Sequence, residues 1–517
     1  VGSHVRALAL AARLVGPLGL LGCLGCLGCL ERDGAGGRGG AAEGGAAEGG
    51  AAEGGAPAPA PVSPLSAEEL LNPAACAGCH PYHFERWAAS MHAYAARDPV
   101  FRAMNAKGQR ETGGALGDLC VRCHAPLAVE LGLTRDGLNL DEVPEHLQGV
   151  TCAFCHQVEE VAGAHNNPLL WANDGVLRGA VRDPAPGSPH AAAYSPLLDR
   201  RDPSSAALCG ACHDVVTPAG VHLERTYLEW RQSLFSVEGA LTLTTCGDCH
   251  MPVDRSAEAR AALARGVSPP ERDLHDHLMP GVDVALVDFP GRAVMEEAVR
   301  AELRHLLLPE LCAEVGAGGG AEVELYLENV AAGHRVPSGA ALDRRLWAEL
   351  VAYDAEGARL FESGVVPPGE AAAAGLAADP QRWLLRDVGY RVEDPALATP
   401  ADETHDFWAV LSLARHSLPG PQRPAALALA PPEDTHVLRR YRFGTARPVA
   451  RIELRVWLRP MDLDVLAPLV ASGDLDPAVA AAAPTFELEG ARRSWTPERA
   501  ARKVTRTGRE LLCAPPF

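Results

Sequence analysis

The sequence predicts a multidomain fold, a mainly α-helical and irregular region followed by a C-terminal β-sandwich-like domain with a few helices. Three observations carry this expectation. Five Cys-x-x-Cys-His pentapeptides stand between residues 76 and 250, among short helical patterns broken by Pro and Gly. A low-complexity segment of Gly, Ala, Glu and Pro precedes them. After Gly316–Gly320 the texture changes to alternation of apolar and polar residues with period two.

The pentapeptides are Cys76-Ala-Gly-Cys79-His80, Cys120-Val-Arg-Cys123-His124, Cys152-Ala-Phe-Cys155-His156, Cys209-Gly-Ala-Cys212-His213 and Cys246-Gly-Asp-Cys249-His250. Each reads as a site for covalent haem c. Two thiols three residues apart can form thioethers to the two vinyl groups of one porphyrin, and the adjacent imidazole then falls on the iron. Zinc would use Cys-x-x-Cys pairs without a histidine fixed after every second cysteine, and a thioredoxin-like site would place one motif in a βαβ unit. Five covalent haems are therefore expected.

Of the 15 cysteines, ten belong to these motifs. Cys23, Cys26 and Cys29 lie in an N-terminal apolar run, and Cys312 and Cys513 remain, either as a disulfide or as two buried free thiols. Arg6 and Arg13 precede the uncharged stretch Leu14–Leu30, which fits an export signal. Leu20-Leu21-Gly22-Cys23 is similar to a bacterial lipobox, so residues 1–30 are expected to be a lipoprotein-type signal with Cys23 as the lipidated residue. An uncleaved membrane anchor is the rival reading. Residues 31–64, with three Ala-Ala-Glu-Gly-Gly units, read as a flexible linker. Residues 65–312 are then the pentahaem region and 313–517 the β-rich domain. The formal net charge of −19 disfavours nucleic-acid partners.

Local patterns predict helices over Ala67–Leu71, Pro81–Ala96, Leu223–Leu234 and Arg292–Leu308. Strands are predicted over Val323–Asn329, Leu346–Tyr353 and Arg359–Val365. His436–Phe443 and Ala450–Leu458 read as a β-hairpin, with helices near Leu463–Ala471 and Pro497–Val504. With one haem per roughly 50 residues, the porphyrins must supply much of the interior of the first region.

Beyond the five proximal histidines and His4 in the signal, thirteen histidines compete for at most five distal positions. His92 lies on the helix after the first motif, beside Trp87. His277 and His334 precede proline turns, His277-Leu-Met-Pro280-Gly281 and His334-Arg-Val-Pro337-Ser-Gly339, and His190 follows Ser188-Pro189. These four rank first as iron ligands. His165, His222 and His275 rank next, and His83, His146, His305, His405, His416 and His436 last. Met91, Met251 and Met279 are conceivable thioether ligands.

Taken together, Trp87-x-x-Ser90-x-His92-Ala93, Gly149-Val-Thr-Cys152-x-x-Cys155-His156, Cys209-Gly-x-Cys212-His213-Asp214 and Ala332-Gly333-His334-x-x-Pro337 resemble the multihaem cytochromes of the cytochrome c-554 and hydroxylamine-oxidoreductase-like superfamily. The resemblance covers about residues 74–340. It implies closely packed haems, mostly with two histidine ligands, and places His92, His190, His277 and His334 at family-like ligand positions. The chain departs from that pattern in having five motifs rather than four or eight, and it has no Cys-x-x-Cys-Lys.

Two functions follow as expectations. The first is an exported electron-transfer protein of the periplasm or outer envelope. It would be lipid-anchored, working with other redox proteins or a membrane quinol-oxidising complex. The second is a haem redox enzyme with one open iron acting on a small nitrogen or sulfur compound, with Asp214, His275 and Asp276 as acid–base candidates. A third reading gives the β-rich domain the working role, as a docking module.

Overall fold

Proline and side-chain caps delimit the short helices that open the folded chain. Ser66 and Glu69 form a reciprocal capping box on Ala67–Leu71, and Pro73, Pro81, Pro99 and Pro126 each begin a helix, where a missing N–H costs nothing. The computed structural model describes residues 64–184, 189–265, 273–316, 318–416, 418–423, 436–499, 504–506 and 509–512. The N-terminal apolar run with Cys23, the linker up to residue 63, and Cys513 lie outside the described residues. No helix among the described residues is long and apolar enough to cross a membrane. Residues 61–517 form a single unit.

The helix expected over Pro81–Ala96 is divided. Pro81–Ala88 ends at Ala89, Ser90 is extended, and its hydroxyl accepts the Ala93 N–H to start Met91–Tyr94. A serine that offers a local acceptor ends one helix and caps the next. The expected helix 223–234 is also corrected. His222–Arg225 pairs antiparallel with Asp214–Val216, and only Thr226–Arg231 is helical. Arg292–Arg304 is helical as expected, but Leu307–Val315 continues as a strand across position 312/313. Four two-stranded sheets, which periodicity did not predict, tie the motif-bearing region together.

The β-rich part contains two larger sheets. Leu307–Val315, Gly320–Asn329 and His436–Gly444 form an antiparallel three-stranded sheet. In the eight-stranded sheet, Arg345–Tyr353 and Arg451–Arg459 are central neighbours, and Trp383–Tyr390 pairs with Arg345–Tyr353 on its other side. The expected hairpin is therefore wrong in its partners: His436–Gly444 pairs with Gly320–Asn329, and Arg451–Arg459 crosses to the other sheet. Alternation specifies a strand, not its neighbour. At the expected C-terminal helix, Pro497–Arg499 form a turn and bend, Val504 begins a short strand, and 500–503 lie outside the described residues.

Val323, Leu325 and Val437 of the smaller sheet share one core with Leu346, Leu350, Leu454 and Val456 of the larger. Met295, Val299 and Leu303 of Arg292–Arg304 join it. Each such side chain contributes about 1.5–3 kcal/mol on full burial. A second apolar contact joins Val100 and Ala103 of Pro99–Glu111 to Leu466 and Leu469 of Leu463–Ala471. Arg225 and Asp387, 2.6 Å apart and 3% and 1% exposed, link the two regions again. Cys312 is disulfide-bonded and packs with Leu512, the neighbour of Cys513.

Candidate haem centres

Local helix formation explains how the motifs present their ligands. The second and third motifs form the one-turn helices Val121–His124 and Cys152–His156, the fourth ends Ser205–His213, and the fifth forms Cys246–His250 under a Thr245–Asp248 capping box. The first motif differs: Cys76 ends the helix Pro73–Cys76, and His80 stands at the N-cap of Pro81–Ala88.

Two imidazoles bound to opposite faces of one iron, each with a metal–nitrogen bond of about 2 Å and a ring centre about 1.2 Å beyond it, would have ring centres roughly 6.4 Å apart. The rings of His213 and His92 are 6.1 Å apart, those of His250 and His334 6.3 Å, and those of His80 and His190 6.5 Å. Three motif histidines thus face three of the four first-ranked candidates at the spacing an iron requires. The fourth, His277, meets His83 edge-on at 4.7 Å and lies close enough to His156 to feel its charge. His83 is also 6.0 Å from His80. Its low rank came from weak local context, and its place one turn along the helix from His80 was the available signal. Neither His124 nor His156 has another imidazole at the iron spacing among the described residues. The His124 ring instead lies flat on Phe101, 4.0 Å between centres.

Hydrogen bonds orient six of these rings. His124, His156 and His250 donate from Nδ1 to the carbonyls of Ala95, Arg178 and Pro280 at 3.1, 2.6 and 2.7 Å. His190, His277 and His334 do the same to Ala191, His275 and Arg335 at 3.0, 2.8 and 2.9 Å. An imidazole whose Nδ1 carries the proton toward a carbonyl leaves Nε2 as the lone-pair donor, the arrangement that orients metal-bound histidines. Desolvation by the surrounding protein, with neighbouring histidines adding to it, holds His92 and His213 down at about 4. Desolvation also holds His277 and His334 at about 4, against their carbonyl hydrogen bonds. All four are neutral at pH 7, as iron ligation needs.

The spacing of Trp87-x-x-Ser90-x-His92 and Gly149-Val150-Thr151 has a direct physical cause. The Trp87 indole donates to the Val150 carbonyl at 2.8 Å, and the Val150 N–H donates to the His92 carbonyl at 2.9 Å. Gly149 has φ +76°, and a Cβ there would stand 2.7 Å from that carbonyl. Glycine lets the third motif close on the backbone that carries His92. The loop at His277 is held similarly: Asp276 accepts from Arg86 at 2.8 Å and from the Leu278 N–H at 2.8 Å.

The attachment cysteines of different motifs touch. Cys76 lies close enough to Cys152, Cys209 to Cys246, and Cys212 to Cys123 for each thiol to perturb the other. Cys155 feels the charge of Cys209. The first motif therefore adjoins the third, and the fourth adjoins the second, third and fifth.

The remaining candidates fall elsewhere. His165 and His222 pair with each other at 6.0 Å, both exposed. His275 lies in the short strand Leu274–His275. His146 stands in a 3-10 turn, and His305 follows Arg292–Arg304. His405 lies beside Asp343 and Asp464, and His436 and His416 stand on strands of the two large sheets. Asp214 accepts the Tyr227 and Leu228 N–H groups at 2.9 and 3.1 Å. Burial outweighs those bonds and raises its carboxyl to about 7. Asp214 and Asp276 thus have evident structural partners. The donor set, paired thiols with facing imidazoles, fits covalent haem. Among the described residues no group of three or more His, Cys, Asp or Glu is arranged to hold a bare metal ion.

Residues 75–157 match the family described as cytochrome c554 and c-prime. The fold is similar to that of a penta-heme cytochrome c552 from Thermochromatium tepidum, with a TM-score of 0.55 and 19% identity over 84% of this chain and 100% of that one. No curated protein matches the sequence. The match to the first motifs and the fold likeness support the multihaem cytochrome c character read from the pentapeptides.

Proposed function

We propose that this chain, a protein of multihaem cytochrome c character, carries electrons through five covalently bound haems, mostly held by two histidines each. The observation that carries the reading is the facing of His213 with His92, His250 with His334 and His80 with His190 at 6.1–6.5 Å. Haem iron would supply the one-electron couple. The protein's own part is to fix imidazoles on both sides, closing those irons to substrate, and to bring motifs close together at Cys76–Cys152, Cys209–Cys246 and Cys123–Cys212. His277 or His83 completes the iron at His156 in this reading. The two sheets of the β-rich part stack as a sandwich that holds His334 against the fifth motif.

Haem c is attached outside the cytoplasm, and multihaem cytochromes of this type are typically exported. The proposed location is accordingly the periplasm or outer envelope, with Cys23 as a lipid anchor and residues 31–64 as a tether. Other redox proteins or a membrane quinol-oxidising complex would be its partners.

A second reading, a haem enzyme for a small nitrogen or sulfur compound, is favoured at one place. His124 stacks on Phe101 and, like His156, has no imidazole at the iron spacing among the described residues; His277 and His83 lie near His156, so the second iron is the candidate for an open position. One experiment separates the two: the visible spectrum of the dithionite-reduced protein before and after carbon monoxide, with haem stoichiometry on the same sample. Five haems without a shift support a pure carrier. A shift of one haem in five favours the enzyme, and fewer than five haems overturns the pentahaem reading.

A further inference from the structure

Arg344 lies on the bend between Gly320–Asn329 and Arg345–Tyr353, ten residues after His334. Its Nη1 donates to the Ser338 carbonyl, and its Nη2 donates to Asp283 at 2.8 Å. The Nε–H is buried and has no acceptor. The guanidinium side chain is 17% exposed, whereas Asp283, which holds its outer edge, is 42% exposed. An uncompensated donor on a buried cation is costly unless a ligand supplies the acceptor.

The surroundings indicate which acceptor is absent from the protein itself. The charge of Arg344 reaches His213, the fourth motif's imidazole, and His334, which faces the fifth motif's His250. Two other buried carboxyls lie near it, Glu224 and Asp343. Burial raises both carboxyls, and Asp283 is the carboxylate that Arg344 holds by a hydrogen bond. A cation with a buried free N–H, whose charge reaches histidines at two motifs, is matched by a carboxylate carried on the porphyrin edge.

We infer that Arg344 anchors a haem propionate at the fourth and fifth motifs and raises the reduction potentials of those two haems. This rests on the haem reading above. A fixed cation beside an iron favours the ferrous state, which carries one positive charge fewer. The guanidinium can donate to a carboxylate through Nε and still hold Ser338 and Asp283. The β-rich part thereby tunes the motif-bearing part through one side chain.

The test is a potentiometric titration of wild-type, R344Q, R344K and D283N proteins, followed in the visible band, with haem counted on each sample. In R344Q, two of five components are expected to move to lower potential. The shift corresponds to about a tenfold change in the ferric-to-ferrous ratio, or ~59 mV for a one-electron couple. R344K keeps the charge and is expected to restore most of the shift. D283N, at a half-exposed site, is expected to move the same two components upward. An R344Q titration superimposable on wild type at full haem content overturns the inference, as does an equal shift of all five components. If R344Q fails to load haem, D283N decides, and its unchanged titration overturns the proposal. A wild-type count below five would instead refute the pentahaem reading.

Discussion

From Leu307 to Trp495 the apolar side chains of two sheets meet in one continuous cluster, with Leu325, Leu346, Leu350 and Val456 all 0% exposed. Between Ala67 and Phe289 most of the buried apolar residues divide into smaller groups, such as the one around Val121, Leu127 and Phe154 and another of Tyr94, Ala285 and Phe289. Between those groups stand paired imidazoles and the attachment thiols. The β-rich part builds its interior from side chains. The motif-bearing part reserves its interior for cofactors and holds its loops with single hydrogen bonds. Periodic burial therefore shapes one region, and short clips at fixed spacing shape the other.

The strongest way to break this contrast is to damage the shared core. Leu350→Ala is expected to cost about 2–5 kcal/mol. Because Met295 and Val299 belong to the same core, haem absorbance and far-ultraviolet circular dichroism should melt together and at a lower temperature. Two separate transitions would show that the regions fold independently.

A smaller effect is expected from Gly149→Ala, which attacks a clip rather than a core. The positive φ and the 2.7 Å approach to the His92 carbonyl make a strain of about 1–3 kcal/mol. Displacing His92 should open one iron, read as carbon monoxide binding by one haem. Gly113→Ala, at φ +61° with no neighbour within 4 Å, is the control and should leave the spectrum unchanged. Equal spectra for both variants would reject the clip.

The smallest effect concerns charge in the β-rich part. Asp343 is 1% exposed, neither carboxylate oxygen has a hydrogen-bond partner, and burial raises it to about 8. A carboxyl whose folded pKa lies above its unfolded value favours folding when protonated, so this stabilisation is lost as pH rises from about 4 through 8. Each pH unit in that window removes up to about 1.4 kcal/mol. Melting temperatures at pH 6 and pH 7 should therefore differ more for wild type than for Asp343→Asn, by roughly 1–2 °C. Parallel shifts in the two proteins would show that the carboxyl ionises freely.

Legibility followed the same division. The helices Ala67–Leu71 and Leu463–Ala471 and the strand Arg345–Tyr353 were readable because local pattern and burial agree there. Ser90 shows where pattern alone misled: the helical run through it is broken by its own side chain. His436–Gly444 and Arg451–Arg459 were readable as strands but not as members of different sheets, because partner choice depends on contacts distant in sequence. At the site, His92, His190 and His334 stood out through Trp87, Pro189 and Pro337. Phe101 did not, because its place against His124 comes from tertiary approach, and His83 was marked only by its position one turn from His80. The Nδ1 hydrogen bonds fall on backbone carbonyls, which leave no mark on residue type.

The touching thiols have a consequence for how such a chain must be assembled. Cys76 meets Cys152 and Cys209 meets Cys246 across motifs, and Cys120 and Cys155 pack against the apolar group around Val121 and Phe154. A folded but unloaded chain in an oxidising compartment would hold thiols of different motifs close enough to cross-link. Haem attached before the chain closes would occupy those thiols first. The final contacts then become joints between thioethers rather than sites of wrong disulfides.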